Sequence, residues 1–381
     1  MYVTAKEFKL GLEITAAGMA SSLGDFKNGC AAARAGLSRV SPHNDFSFFD
    51  ESSADMYPVS VHAAMGDALV GFSGSGRLLR LAHLALEDLL ENADEAFEDL
   101  SRTAVVINMG SGYYWDECER QQSVDLDSVD GAEPSDVIGL RSDRSDERRK
   151  ALDTYFIQTL IHMAGVGSEP GHTELCFSDA AGVGEVLNKA ERLLELPGID
   201  RCIIGGVDSL LDGYMMPALI ELDVLSSPNN PAGFFAGEAA VFFVVESGAG
   251  GMATLSSPLA AMEAYDDATG AVVDGQKLTN LLNRLVAVEP DLTNAGVVIG
   301  SVNGTEKRAM EWGAARIHLP QALAHTMDWH PAEHFGETGA AAGFLAIALA
   351  QRAKARGYMG GESCLIYQSS PYGQRTAFVL S

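Results

Sequence analysis

The stretch Gly171–Val186, GHTELCFSDAAGVGEV, gives the strongest indication of the fold. Its first residues favour a strand, a turn of small residues follows, and apolar residues at helical spacing continue to Pro197. This pattern predicts a buried strand that runs into the first turn of a helix. The unpaired backbone N–H groups of such a turn commonly hold a reactive group or an anion.

Outside this stretch, strands and helices are predicted to alternate along both halves of the chain. The predicted strands are 9–24 with its terminal turn, 103–110, 173–179, 200–206, 233–246, 252–262, 295–302, 363–367 and 376–380. The predicted helices are 25–37, with Asp25 as N-cap, 77–90, 151–165, 187–197, 277–288 and 337–355. Residues 42–67 show no convincing period and are predicted to be irregular. The polar tract 123–150 is predicted to be an exposed, partly mobile excursion.

Composition restricts the class of protein. Of 381 residues, 47% are hydrophobic and only 20% charged, which predicts an extensive core. The net charge of −26 argues against nucleic-acid or anionic-membrane binding. The cysteines are odd in number and contain no CxxC pair, so neither disulfides, a zinc site nor another cofactor is expected. The first ten residues lack the apolar core of a signal peptide and no apolar run is long enough to span a bilayer, so a cytoplasmic location is expected.

The segment from Gly171 resembles the nucleophile segment of the β-ketoacyl synthases, condensing enzymes of the thiolase superfamily. In that family the acyl-accepting cysteine follows nine positions after a glycine that opens the strand, and here that position is Ala180. The strings DRCIIGG (200–206) and GFFAGEAAVFFVVE (233–246) resemble two further motifs of the family. The resemblance implies an α/β, thiolase-like fold in which two similar halves, 1–250 and 251–381, form a layered αβαβα sandwich.

The same resemblance implies a site without the Cys-His-His set of the family. The first family histidine matches Asn303, whose amide can donate a hydrogen bond but cannot shuttle a proton near neutral pH. The second matches Gly336. In the loop that forms the family's C-terminal gate, Pro371 and Arg375 are expected to add stiffness and charge. No catalytic group is therefore expected at Ala180, Asn303 or Gly336.

Three other side chains are candidates to replace the missing groups. Cys176 falls within the strand, where a buried structural thiol is expected. Ser178 is closer to the turn, but a serine nucleophile needs a base and an orienting group. His334 reaches the place of the second histidine only if the motif is shifted by two residues.

Three functions remain open at this stage. The first is a catalytically degenerate protein that acts as a binding, adaptor or scaffold protein. The second is an acyl-transferring or condensing enzyme of the 3-oxoacyl-ACP synthase class with displaced groups. The third is a chain-length-factor-like, non-catalytic partner of an active ketosynthase. The strings Asn303–Glu306 and Glu311–Gly313 resemble a degenerate subfamily associated with bacterial secretion genes, which favours an adaptor for a secreted cargo.

Partners are predicted from the resemblance and from charge. A homodimer is expected through the strand 173–179, because an unpaired strand edge is a liability. A protein partner is expected, but an acyl carrier protein is disfavoured because both surfaces are acidic. The end of the polar tract still offers local positive charge at Arg144, Arg148, Arg149 and Lys150.

Overall fold

The computed structural model describes residues 11–50, 53–93, 97, 99–130, 134–248, 250–263, 274–371 and 373–381, without the side chains of 123–147 and 322. The strands within these ranges are β1 (Leu12–Ser21), β2 (Ser41–Asp50), β3 (Asp55–His62), β4 (Thr103–Met109), β5 (His172–Phe177), β6 (Arg201–Ser209), β7 (Ala236–Ser247), β8 (Ala253–Leu255), β9 (Leu259–Met262), β10 (Ala295–Ile299), β11 (Met327–Trp329), β12 (Ser363–Ser369) and β13 (Gln374–Leu380). The helices are α1 (Phe26–Arg34), α2 (Gly74–Asn92), α3 (Tyr113–Asp130), α4 (Pro134–Met163), α5 (Gly182–Leu194), α6 (Met215–Glu221), α7 (Gln276–Val288), α8 (Glu306–Ile317), α9 (Ala332–Phe335) and α10 (Ala342–Ala355).

The strands form a mixed sheet in two groups. In the first half the order is β1-β7-β6-β4-β5, with β4 parallel to β5 and β6, and β7 antiparallel to β1 and β6. In the second half the order is β11-β10-β12-β13. The short strand β8 pairs with both β1 and β13 and connects the two groups. Strand β5 lies at the edge of the sheet, next to β4 alone among the described strands.

Side chains alternate between the two faces of each group of strands. On β4, Ala104 and Val106 point to the central core, whereas Val105 and Ile107 pack with α2 and α4. On β12, neighbouring residues likewise divide between the central core and an outer core with α7 and α8. Helices α5 and α10 contribute most of the helical side chains of the central core. The layers are therefore αβαβα, and the predicted thiolase-like architecture is confirmed.

Local sequence determines several of these elements. Helix α1 begins at its predicted cap, where Asn28 N donates to Asp25 Oδ1 at 2.8 Å. The predicted strand over 252–262 is divided into β8 and β9, with Pro258 between them. The predicted helix over 337–355 begins only at Ala342, after a 3₁₀ turn at Gly339–Ala341.

One prediction from the sequence was wrong. Residues 42–67 are largely a β-hairpin, because β2 and β3 pair antiparallel. A register shift between Pro42 and Ser47 interrupts this pairing, and few residues of the hairpin are buried, so the apolar alternation is weak. In the polar tract 123–150, the described backbone is helical at 123–130 and 134–150, and the predicted exposure of the tract stays a prediction. The proposed division at residue 250 stays a prediction.

None of the described helices is long and apolar enough to cross a bilayer.

Candidate functional site

The predicted nucleophile turn lies between β5 and α5, at the centre of the molecule. Ala180 and Ala181 are both buried there. The N–H of Ala181 donates to Ser370 Oγ at 3.0 Å, so the C-terminal loop is attached to this turn. The turn therefore presents a methyl group at residue 180, and one of its backbone donors is already satisfied by the protein itself.

A buried asparagine on β4 connects the turn to the loop before α10. Asn108 Nδ2 donates to the carbonyl oxygens of Asp179 and Ala340, at 3.1 and 3.2 Å. Its Oδ1 accepts from Ser178 N at 3.2 Å. Sequence reasoning missed this residue, although a single polar residue inside the apolar run TAVVINMG is the signal that could have indicated it.

Asn303 is held in one orientation by hydrogen bonds at both ends of its amide. Its Nδ2 donates to Glu337 Oε2 at 2.6 Å. Its Oδ1 accepts from the backbone N–H and the hydroxyl of Thr305, at 3.2 and 2.8 Å. The other oxygen of Glu337 accepts from Gly339 N at 3.0 Å. These bonds connect the loop of Asn303 to the loop that contains Gly336, the two positions that the sequence matched to the family's histidines.

Gly336 lies against a histidine from a different part of the chain. A β-carbon at residue 336 would lie 2.9 Å from Cδ2 of His62, at the end of β3. The His62 side chain is fully buried, and its Nδ1 has no hydrogen-bond partner among the described residues. Burial lowers the pKa of His62 to about 4, so the imidazole is neutral. An imidazole therefore occupies the direction of a side chain at 336, but it comes from β3.

Two buried carboxyl groups lie behind the turn. Asp179 Oδ2 accepts from Ser111 Oγ at 2.7 Å, and Asp208 Oδ2 accepts from Ala340 N at 3.0 Å. Burial raises the pKa of both; for Asp208 it reaches about 7, opposed by the Ala340 N–H and increased further by the charge of Asp179. Gly339 permits this arrangement, because a β-carbon there would lie 2.1 Å from Asp208 Oδ2.

The C-terminal loop is fixed by a buried ion pair. Arg375, at the start of β13, is 2% exposed, and its Nε lies 2.5 Å from Glu311 Oε1. Its Nη1 donates to the carbonyl oxygens of Ser370 and Gln374, at 3.1 and 3.0 Å. The predicted charge at the gate thus points inward and holds the loop; Tyr372 lies outside the described residues.

The fallback candidates are placed as follows. Cys176 is buried on β5, and burial raises its pKa to about 12. Ser178 Oγ donates to Glu185 Oε2 at 3.0 Å, and that carboxylate lies 3.1 Å from Lys189 Nζ. His334 Nδ1 lies 3.1 Å from the carbonyl oxygen of Leu37, beyond the C-terminus of α1. Ser178 is thus beside a carboxylate, and His334 is bonded to another segment.

The five cysteines share one environment. All are free and buried, and burial raises the pKa of each thiol, to about 11 for Cys118 and about 12 for Cys30, Cys176, Cys202 and Cys364. Within the described ranges, no group of three His, Cys, Asp or Glu side chains is arranged to hold a metal ion.

A pocket of about 310 Å³ opens beside Asn303 and Pro371. Its walls combine aromatic and apolar side chains with charged ones, including Tyr114, Phe234, Val224, Lys307 and Arg308. Tyr114 and Phe234 pack with their ring centroids 5.7 Å apart. The face that carries the matched loops, here called the active-site face, therefore has an open pocket whose walls carry cationic groups and the carboxylate of Glu117.

Comparisons with known proteins define the fold. No protein-family model and no curated protein matches the sequence. Solved ketosynthase structures do match over nearly the whole chain. The ishigamide ketosynthase/chain length factor is 19% identical with a TM-score of 0.64, covering 97% of this chain and 99% of that one. A type II polyketide ketosynthase, solved in complex with its acyl-carrier protein, is 15% identical with a TM-score of 0.70 and covers 98% and 99%. A β-ketoacyl synthase from Burkholderia phymatum STM815 is 14% identical with a TM-score of 0.66 and covers 97% and 99%.

These matches extend over both halves of the chain. The protein has the thiolase-like fold of the ketosynthases and chain length factors.

Proposed function

We propose that the protein is a non-catalytic protein with the ketosynthase fold, which acts as an adaptor or scaffold for a protein partner. The observation that carries the proposal is the methyl group of Ala180 at the start of α5, in place of a thiol. Decarboxylating condensation needs a nucleophile for the acyl chain and donors that stabilise the enolate and oxyanion. Asn303 is occupied by Glu337, and the Ala181 N–H is occupied by Ser370.

Acylation tests the catalytic part of the proposal. Incubation with malonyl and acyl thioesters, followed by intact-mass measurement, should give no adduct on the wild-type protein. The variant Ala180→Cys is the matched positive control, since it restores a thiol at the matched position. An adduct on wild-type Cys176 or Ser178 would instead support the alternative, an acyl-transferring enzyme of the 3-oxoacyl-ACP synthase class with displaced groups.

The features of the active-site face favour a protein as the partner. Its pocket opens at the surface beside Asn303, and its aromatic walls, with both cationic groups and the carboxylate of Glu117, suit a peptide segment that carries apolar and charged side chains. The fixed C-terminal loop is a poor gate for an acyl chain, because Arg375 and Ser370 hold it closed on the turn. A secretion-system cargo protein is the partner class that the sequence resemblance favours.

Filling this pocket tests the docking face. Val224 is half-buried in the pocket wall, so Val224→Trp should occupy the space and abolish capture of the partner. The matched control is Leu196→Trp, because Leu196 is 50% exposed and follows the end of α5 opposite to Ala180. Affinity capture from the native host, with quantitative mass spectrometry, compares the three proteins. Equal capture by all three would exclude this pocket as the docking site.

A chain-length-factor-like subunit is the second candidate. The observation that favours it is the exposed edge of β5, together with the similarity to a solved ketosynthase/chain length factor. Co-expression with any ketosynthase encoded beside it should then give a stable heterodimer. Purification as a homodimer that excludes the co-expressed ketosynthase would favour the adaptor.

A further inference from the structure

A second cavity, of about 260 Å³, lies between α1, α10 and the residues that follow β11. It shares no lining residue with the pocket on the active-site face. Its inner surface is apolar, formed by Cys30, Ala33 and Leu349. Trp329 and Tyr358 form an aromatic wall, with ring centroids 6.2 Å apart. We call this cavity the α1–α10 pocket.

Positive charge converges on the α1–α10 pocket. The guanidinium of Arg34 lies 3.9 Å from the ring centroid of Tyr358, in stacking position. Arg352 lies close behind: burial raises the pKa of the Cys30 thiol, and the charge of Arg352 opposes that shift. In the part of the chain that the structure describes, neither arginine has a carboxylate within ion-pair distance. Arg34 lines the cavity and Arg352 lies near Cys30 without lining it, which is a local concentration of positive charge in a protein with a net charge of −26.

The acidic groups at the cavity do not cancel this charge. Asp328 Oδ2 accepts from Trp312 Nε1 at 3.2 Å and lies 3.4 Å from Arg316 Nε, so it is already compensated. Glu333 is exposed at the rim, as is Arg34, so water screens both charges, but of the two only Arg34 is stacked on the aromatic wall. His330 also lines the cavity, and its enclosed Nδ1 has no partner among the described residues. The cavity thus offers a cation and an unused polar atom above an apolar floor.

We propose that the α1–α10 pocket binds a small aromatic carboxylate. The ring would lie against Trp329 over the apolar floor, and the carboxylate would accept hydrogen bonds from the free edge of the Arg34 guanidinium. A single negative charge fits better than a phosphate dianion, since only one arginine lines the cavity and the surrounding field is negative. The volume suits one substituted ring rather than a long acyl chain.

Fluorine NMR on the full chain tests this proposal with three isosteric probes. The probes are 4-fluorobenzoate, 4-fluorobenzyl alcohol and 4-fluorobenzylamine, which differ in charge but have similar size. We expect saturable binding of the benzoate and at least tenfold weaker binding of the other two. Absence of benzoate binding at millimolar concentration, or equal binding of the alcohol, would overturn the proposal.

Two variants locate the binding. Arg34→Gln keeps an amphipathic chain over Tyr358 but removes the charge, so the affinity for 4-fluorobenzoate should fall about tenfold or more. Arg192→Gln, on α5, is the charge-matched control and should change nothing. Ala33→Leu should abolish binding, because the larger side chain fills the space above the apolar floor of the cavity. If Ala33→Leu does not fold, Arg34→Gln still tests the proposal, because Arg34 is exposed. Unchanged binding in Arg34→Gln would show that the benzoate binds elsewhere and would refute the proposal.

Discussion

The imidazole of His62 excludes a side chain at Gly336. A β-carbon at residue 336 would lie 2.9 Å from the His62 ring and 2.7 Å from the carbonyl oxygen of Phe235. The backbone φ of +72° at this glycine adds a second obstacle. The absence of a side chain at residue 336 and the presence of His62 beside it therefore belong to one packing arrangement.

Gly336→Ala should destabilise the protein beyond the cost of its backbone conformation. Gly165→Ala is the matched control, because Gly165 has φ +69° and open space around its β-position. We expect about 1 kcal/mol for the control and a further ~1–3 kcal/mol for Gly336→Ala. Denaturant unfolding measures both. The extra cost should shrink in a His62→Ala background; an unchanged cost would mean that Phe235 alone is the obstacle.

Asp208 should make stability depend on pH. Its folded pKa of about 7 lies above the unfolded value of 3.8, so the folded state keeps a proton that the unfolded state loses. The contribution of Asp208 to the free energy of unfolding is fully present below pH 4 and is lost as the pH rises towards 7. Asp208→Asn should therefore gain stability relative to wild type over this range, on the order of 4 kcal/mol.

Unfolding curves from pH 4 to pH 8 provide the comparison. His62 acts in the opposite sense, because its folded pKa of about 4 lies below 6.5 and its contribution is lost as pH falls from 6.5 to 4. The difference between wild type and Asp208→Asn removes this background. Parallel curves for the two proteins would show that Asp208 ionises normally.

The hydrogen bond from Ala181 N to Ser370 Oγ should control the opening of the nucleophile turn. Ser370→Ala removes the acceptor, so amide hydrogen exchange at Ala181 should accelerate and stability should fall by about 1 kcal/mol. Ser370→Thr keeps a hydroxyl and is the control. If exchange at Ala181 is equally slow in Ser370→Ala, the turn is protected by burial alone.

The buried pair of Arg375 and Glu311 should be worth far more than a surface pair. Arg375→Leu leaves the Glu311 carboxylate buried and without its closest cation, which should cost about 3–5 kcal/mol. Arg102→Gln breaks the exposed pair with Asp200 and should change the free energy of unfolding little. Thermal and denaturant unfolding distinguish these cases. Similar costs for both variants would contradict the assigned role of Arg375.

The edge of β5 should mediate a homodimer. Light scattering at low micromolar concentration should give about twice the 40.3 kDa of one chain. The N–H groups of successive residues in a strand point to opposite sides, so one of Thr173 and Glu174 donates towards β4 and the other towards the free edge. Thr173→Pro and Glu174→Pro therefore each remove one of these two donors. One of them should dissociate the dimer without unfolding the chain. A wild-type monomer would refute the proposal.

The sequence predicted the fold where the pattern was strong. The run from Gly171 into α5 and the apolar strands β4, β6 and β7 have continuous buried stretches, which local periodicity detects. The hairpin of β2 and β3 was missed because few of its residues are buried and its register is interrupted. Helix α8 was missed too, since few of its residues are buried.

The candidate site was only partly accessible to sequence reasoning. Ala180, Asn303 and Gly336 were assigned by motif, because each lies at a fixed distance from glycines in its own segment, and this assignment stays a prediction. His62, Asn108 and Ser370 could not be assigned in this way, because each acts on a segment that is distant along the chain. Such contacts depend on how the two halves pack, which no local pattern encodes.

The buried cysteines have a practical consequence for spectroscopy. Since all five native thiols are enclosed and have pKa values of about 11 or 12, maleimide reagents should leave the folded wild-type chain unmodified. A single cysteine introduced at an exposed residue would then be the one position that accepts a spin label or fluorophore. Distances within an assembled complex become measurable without first removing any native cysteine, so the core keeps its packing while its surroundings are mapped.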